Sequence, residues 1–265
     1  MRQNLLQDKV ALITGSGRGI GRAIARLFVG EGASVFLTAR TEAELQSTSS
    51  EINQRAGHQA AAHIPADLSR ADDCARVFTE ACNRFGRVDI LVNNAGHYGP
   101  VVPVEEYPLA DFENVIHVHL RAAFLLTKAA LPEMYDRGSG VILNISSLSA
   151  KSAFGLGSAY AAAKTGMLGL TRVTAAEAAR KGVRVNALCP GPVTETAMSR
   201  ELGATLAKRL NVSPEDQLAG FLNSILQGRP QTADEIARAA LFLCSDHSSA
   251  ITGQSINVDG GAAYF

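Results

Sequence analysis

The chain has 265 residues, with 25 Lys+Arg against 25 Asp+Glu, so it carries no formal net charge; it is 46% hydrophobic and 19% charged. That composition belongs to an ordinary soluble globular protein with enough chain to bury a sizeable core, and it excludes disordered and fibrous classes. Without a basic excess to drive counterion release, no nucleic-acid partner is expected.

In chain order, Val10–Thr14 is a short apolar strand followed by a glycine-rich turn. Ile20, Ala23, Ile24, Leu27 and Phe28 then recur at helical spacing. Ala33–Thr38 reads as a second strand, and Thr41 with Glu44 as a capping box that opens a helix to about Ala56. A third strand at Ala60–Ile64, a helix at Ala71–Phe85 and a fourth strand at Val88–Val92 follow. One long helix is predicted from Pro108 to Tyr135, with only Pro132 interrupting it near its end. Gly140–Ile145 is a strand, Ser158–Arg180 an Ala-rich helix, Val183–Leu188 a strand, Ala233–Leu243 a helix and Ser255–Val258 a last short strand. Strands that read as unbroken apolar runs and alternate with helices imply a doubly wound parallel α/β sheet covered on both faces. No linker or repeat divides the chain, so residues 1–265 are read as one domain. The long excursion at about 193–228 is read as a lid over a site.

Cys74, Cys82, Cys189 and Cys244 form no C-x-x-C pair, and the six histidines include no H-E-x-x-H. Neither a disulfide framework nor a metal site is therefore expected. No run reaches the roughly 18 apolar residues that span a bilayer, so no membrane partner is expected. Residues 1–9 are polar and lack the apolar core of a secretion signal, which leaves a reduced, cytoplasmic setting as the expectation.

Two motifs carry chemistry. The run Gly15-Ser16-Gly17-Arg18-Gly19-Ile20-Gly21 lies between the first strand and its helix, where glycines let backbone approach a pyrophosphate and the helix N-terminus supplies free N–H groups. Its spacing is G-x-x-x-G-x-G rather than the common six-residue dinucleotide fingerprint. About twenty residues on, where NAD sites place an acid, the chain has Ala39-Arg40. Arg40, aided by Arg18, therefore points to the 2′-phosphate of NADP, with NAD as the alternative. In the second motif, Tyr160 and Lys164 are four apart on one helix and share a face, and Ser147 lies just past the fifth strand. An ammonium beside a phenol favours its ionised form and lowers its pKa, and a phenol so tuned can pass a proton to a carbonyl oxygen during hydride transfer.

Together with Asp67-Leu68, Asn93-Asn94-Ala95-Gly96, Pro190-Gly191, Ile251-Thr252-Gly253 and Val258-Asp259-Gly260-Gly261, these motifs resemble the short-chain dehydrogenase/reductase family over nearly the whole chain. The overall pattern is similar to its 3-oxoacyl-[acyl-carrier-protein] reductase-like members. The resemblance implies a Rossmann-type sheet of about seven strands, a nicotinamide cofactor and reversible interconversion of a ketone and a secondary alcohol. It makes Tyr160 the general acid/base, gives Ser147 the substrate oxygen, and gives Lys164 the nicotinamide ribose. It places Asp67 and Leu68 at the adenine, Asn94, Ala95 and Gly96 along the cofactor channel, and Pro190, Gly191, Val193 and Thr194 near the nicotinamide. It also implies a homotetramer, with a dimer as the alternative.

Two positions depart from the family pattern. His119 replaces an Asn in the long helix, at a point where the family has a helix irregularity, and either fills that space or joins a proton relay as a group titrating near neutrality. Glu195 stands where a Thr is usual, between Thr194 and Thr196, which leaves open which threonine meets the cofactor. The substrate is expected to be a small carbonyl or alcohol compound in a partly apolar pocket walled by His97, Tyr98, Ser149, Phe154, Leu156, Met198 and Leu202. A 3-oxoacyl-thioester reductase, an NAD-dependent alcohol or sugar dehydrogenase and a non-catalytic NADP(H)-binding sensor remain as alternatives.

Overall fold

The structure, a computed structural model, describes residues 4–263. The apolar run Ala262-Ala263-Tyr264-Phe265 is expected from sequence to be buried against a neighbouring subunit, and its Tyr264 and Phe265 lie outside the described residues. Seven strands form one parallel sheet: β1 (Val10–Thr14), β2 (Ser34–Ala39), β3 (Ala61–Pro65), β4 (Ile90–Asn93), β5 (Gly140–Ile145), β6 (Val183–Pro190) and β7 (Ser255–Val258), in the order β3-β2-β1-β4-β5-β6-β7. The order reverses between β1 and β4, and in such sheets ligands bind outside the carboxyl ends of the strands at that point.

Successive residues of a strand point to opposite faces, so both faces must be apolar when helices cover both. Along β1, Ala11 and Ile13 pack into one core and Leu12 into the other. The first core receives Ile24 and Phe28 from α1 (Gly19–Gly30), Leu45 and Ile52 from α2 (Glu42–Ala56), and Ile236 and Ala240 from α9 (Ala233–Cys244). The second receives Val77 and Phe78 from α3 (Ala71–Phe85), Leu126 and Met134 from α5 (Ala122–Arg137), and Ala175 and Ala178 from α6 (Ser158–Ala178).

The helix predicted from Pro108 to Tyr135 divides. It runs as α4 (Leu109–Ile116), a π-helical turn over His117–Arg121, and α5, which passes through Pro132 to Arg137. The interruption therefore sits at the irregularity expected around His119, not at Pro132. The capping box expected at Thr41 and Glu44 does not form: Thr41 makes no side-chain cap, and the Glu44 carboxylate turns to Arg18, 3.4 Å away. A complete capping box forms instead at Thr232 and Glu235, at the start of α9. The excursion after β6 folds into α7 (Ala197–Leu210) and α8 (Pro214–Leu222), which pack on each other. Among the described residues no helix is long and apolar enough to cross a membrane.

Candidate active site

The strand ends at the switch point are tied together by one threonine. Thr14 Oγ1 accepts the backbone N–H groups of Asn94 and Ala95, each at 2.9 Å, while Asn94 Nδ2 donates to Thr14 O at 2.8 Å and to Gly15 O at 3.1 Å. Gly15 has φ 64°, and a Cβ there would lie 2.8 Å from Ala95 Cα. The loop thus packs backbone on backbone and leaves a cleft of about 710 Å³ beside it. Gly15, Arg18, Gly19 and Ile20 line its floor, and Asn94, Ala95 and Gly96 its wall. Asp67 and Leu68 lie at one end with Arg40, whose exposed side chain makes no ion pair among the described residues. No side chain caps the first turn of α1, so its free N–H groups remain available to an anion.

Two expected ligand residues are supports instead. Ser16 is fully buried outside the cleft, with its hydroxyl accepting from Thr38 N at 3.0 Å. Gly21 is also buried; a Cβ there would lie 2.6 Å from Asn94 Nδ2, so the position needs glycine for packing. Arg18 lines the cleft, but it is already paired with Glu44.

A second cavity of about 780 Å³ adjoins the first and shares Ile20, Asn94, Gly96, Tyr98, Thr196 and Met198 with it. Ser147, Tyr160, Lys164 and His119 all line it, as do Pro190, Gly191, Val193 and Thr194. Ser147 follows β5 in extended conformation and caps a short turn by accepting from Ser149 N at 3.1 Å. One helical turn of α6 separates Tyr160 from Lys164, whose Nζ lies 5.6 Å from the phenol ring centroid. Lys164 is buried, and its Nζ donates to Ile145 O at 2.6 Å. Tyr98 stacks on Tyr160 with centroids 4.8 Å apart. Of the expected pocket walls, Tyr98, Ser149, Phe154, Leu156, Met198 and Leu202 line this cavity, whereas His97 faces the cleft.

Burial sets the protonation states. It pushes Tyr160 up to about 12, against a hydrogen bond from Ser147 that favours the phenolate, and it pulls Lys164 down to about 7. Desolvation leaves the Tyr160 phenol neutral, without the expected depression by its ammonium neighbour. Burial, and then the Lys164 charge, hold His119 well below the usual histidine range. The imidazole is therefore neutral and does not titrate near neutrality, contrary to one of the two expectations for it. Its Nε2 lies 3.0 Å from His97 N and 2.8 Å from His97 O, while Nδ1 is buried without a protein partner. Asn114 reaches the His97 side chain at 3.3 Å and not the Tyr160–Lys164 pair.

After β6 the two threonines and Glu195 take different positions. The Glu195 carboxylate turns away to accept from Ala233 N at 2.5 Å, at the start of α9. Thr194 faces only the second cavity, whereas Thr196 reaches both and sits 3.3 Å from the Cβ position of Gly19. Sequence reasoning missed the packing of Gly96 on His119 and the apolar residues Leu206, Leu218 and Phe221. The i, i+4 spacing of Leu202 and Leu206 was the available signal for part of that wall.

Residues 15–263 match the family described as Enoyl-(Acyl carrier protein) reductase. The chain is 35% identical over 260 residues to the D-beta-hydroxybutyrate dehydrogenase of Rhizobium meliloti, covering 96% of this chain and 98% of that one. The levodione reductase of Leifsonia aquatica is 34% identical over 260 residues, covering 97% of this chain and 96% of the relative. A crystal structure of levodione reductase superposes with a TM-score of 0.92 at 34% identity, over 98% of this chain and 100% of that one. A variant of actinorhodin polyketide ketoreductase with NADPH gives 0.92 at 33% identity, over 97% and 98%. The chain belongs to the short-chain dehydrogenase/reductase family and is an oxidoreductase.

Proposed function

We propose that the protein is an NADP(H)-preferring oxidoreductase that interconverts a ketone and a secondary alcohol. One observation carries the reading: the glycine-loop cleft opens into the cavity where Ser147, Tyr160 and Lys164 converge. The cleft suits a dinucleotide, because its floor is close-packed backbone that a Cβ would fill and its helix N–H groups have no side-chain cap. Gly15, Gly19 and Ile20 would hold the pyrophosphate, Arg40 the 2′-phosphate, and Asp67 and Leu68 the adenine. Pro190, Gly191, Val193 and Thr196 would pack at the nicotinamide, which supplies or takes up the hydride when bound.

In reduction, Ser147 Oγ donates a hydrogen bond to the ketone oxygen and fixes it beside the phenol. Tyr160 Oη, neutral in its buried setting, donates its proton to that oxygen as hydride arrives at carbon; in oxidation the same oxygen takes the proton back. Lys164, next on the same helix face, stabilises the transient phenolate in its protonated form. His119 positions the wall from Gly96 to His97. Residues 193–228 act as a lid on a single domain, and Phe154 meets Phe221 edge-on at 5.8 Å where the lid touches the loop after β5. The four unpaired thiols are consistent with a reducing, cytoplasmic setting.

The test is NADPH and NADH oxidation against a panel of ketones. Turnover that is faster with NADPH and is lost in Tyr160→Phe supports the reading. Tight NADPH binding with no turnover on any ketone would make the protein a cofactor sensor instead.

A further inference from the structure

The part of the second cavity beyond Tyr160 is built mainly by the lid. Met198, Leu202 and Leu206 recur every four residues along α7 and all face the cavity, a stripe about 12 Å long at 1.5 Å rise per residue. Leu218 and Phe221 face it from α8, and Phe154 closes the far side against Phe221. The cavity of about 780 Å³ would hold the nicotinamide end at Pro190, Gly191 and Val193 and extends beyond Tyr160 along this apolar wall.

Charge is nearly absent from this wall. Among the described residues no Asp or Glu lines the cavity, and its only cations are Lys164 and Arg200. Lys164 is buried against Ile145 O beside the reacting phenol. Arg200 is exposed where the two cavities meet, and its guanidinium donates to Glu195 O at 2.6 Å. A carboxylate on the far end of a substrate would lie against Phe154, Leu206 and Phe221 with no cation beside them and only the neutral Gln217 amide on the α8 side, and burying a carboxylate without a charged partner is unfavourable.

We infer that the substrate is an uncharged ketone or alcohol whose reacting carbon bears an extended apolar body, seated along the Met198–Leu202–Leu206 stripe and ending at Phe154 and Phe221. The inference rests on the hydride-transfer reading above and deepens it. The carbonyl meets Ser147 and Tyr160, and the body provides the binding energy by leaving water.

The decisive comparison uses matched ketones that differ only at the far end: 4-phenylcyclohexanone, its para-carboxylated counterpart, and cyclohexanone without the extension. The phenyl ketone is expected to exceed both others in kcat/KM by at least about tenfold. Leu206→Lys places an ammonium in the stripe and should move the ratio toward the carboxylated ketone by about tenfold or more. Equal or better use of the carboxylated ketone by the unaltered enzyme would overturn the inference, as would an unmoved ratio in Leu206→Lys. Displacement of the neutral dye Nile red reads the same preference without turnover. Displacement by the phenyl ketone and not by its carboxylated counterpart supports the substrate class even if hydride transfer fails. Equal displacement by both overturns it even if other ketones are reduced.

Discussion

The imidazole of His119 occupies the volume that any side chain at position 96 would need. A Cβ on Gly96 would stand 2.6 Å from Nδ1 and 2.8 Å from Nε2 of that ring. The ring cannot withdraw freely, because Nε2 is held at the backbone of His97 and the whole side chain is buried. Gly96→Ala is therefore expected to lower both Tm and NADPH affinity. His119→Ala in the same chain should recover much of the loss in Tm, because it vacates the space. A double-mutant cycle on Tm measures this coupling, and strict additivity of the two changes would refute it.

His119 alone is expected to be dispensable for turnover. With its imidazole neutral well above its depressed pKa, His119→Asn should keep kcat within about tenfold and leave the pH–rate profile above pH 6 unmoved. A limb near pH 6 to 7 that disappears in the variant would show that the ring does exchange protons during the cycle.

On the proposed mechanism, Tyr160→Phe removes the group that passes a proton to the substrate oxygen. Loss of a general acid typically costs a factor of roughly 10² to 10⁴, so kcat should fall by that much or more. Tm should change little, because the ring that stacks on Tyr98 remains. Retention of a tenth of the activity would remove Tyr160 from the mechanism.

Lys164 destabilises the fold in which it works. Its pKa is about 7 in the native protein against an ordinary 10.5. Between those values the unfolded chain binds a proton that the native chain does not, so this residue makes stability rise with pH across that window; below about pH 7 the cost is fully present. Lys164→Met should therefore raise Tm at pH 7, by a margin that shrinks as pH approaches 10.5, while activity collapses. Thermal melts from pH 6 to 10 check the trend, and a Tm lowered equally at every pH would contradict it.

Cofactor choice should follow the charges at the end of β2. Ala39→Asp with Arg40→Leu is expected to reverse the preference from NADPH to NADH, since an acid there pairs with a ribose hydroxyl and repels a 2′-phosphate. Glu44→Gln should tighten NADPH binding, because it frees Arg18 from its 3.4 Å partner and removes a carboxylate from the cleft. Fluorescence titration of the unaltered protein comes first: equal affinities for the two cofactors would end this account.

The strands were legible because helices cover both faces of the sheet, and the spans observed shift from those expected by only a residue or two. The positions of Tyr160, Lys164 and Ser147 were legible as motifs and meet in one cavity. Their protonation was not, because it depends on how deeply α6 buries the pair. Thr41 and Glu44 show the limit of local pattern. The same T-x-x-E spacing that caps α9 at Thr232 fails at Thr41, where an arginine brought over from the glycine loop takes the carboxylate. Ser16 and Gly21 show the same limit inside a motif: their neighbours line the cleft, while these two face inward and support it.

The π-helical turn at His117–Arg121 works as a phase shifter. A π turn accommodates one residue more than an α turn, and each α-helical residue rotates the chain by 100°. The extra residue lets Val115 face inward before the turn and His119 within it, while Leu126, Ala130 and Met134 face inward after it. Removing a single residue from the turn would permit one unbroken helix. It would also swing the inner face of α5 by roughly a quarter of a revolution, turning Leu126 and Met134 off the sheet. A deletion there should therefore be far more damaging than any single substitution at the same place. The length of this segment, more than the identity of its side chains, keeps α4 packed on α6 and α5 packed on the sheet.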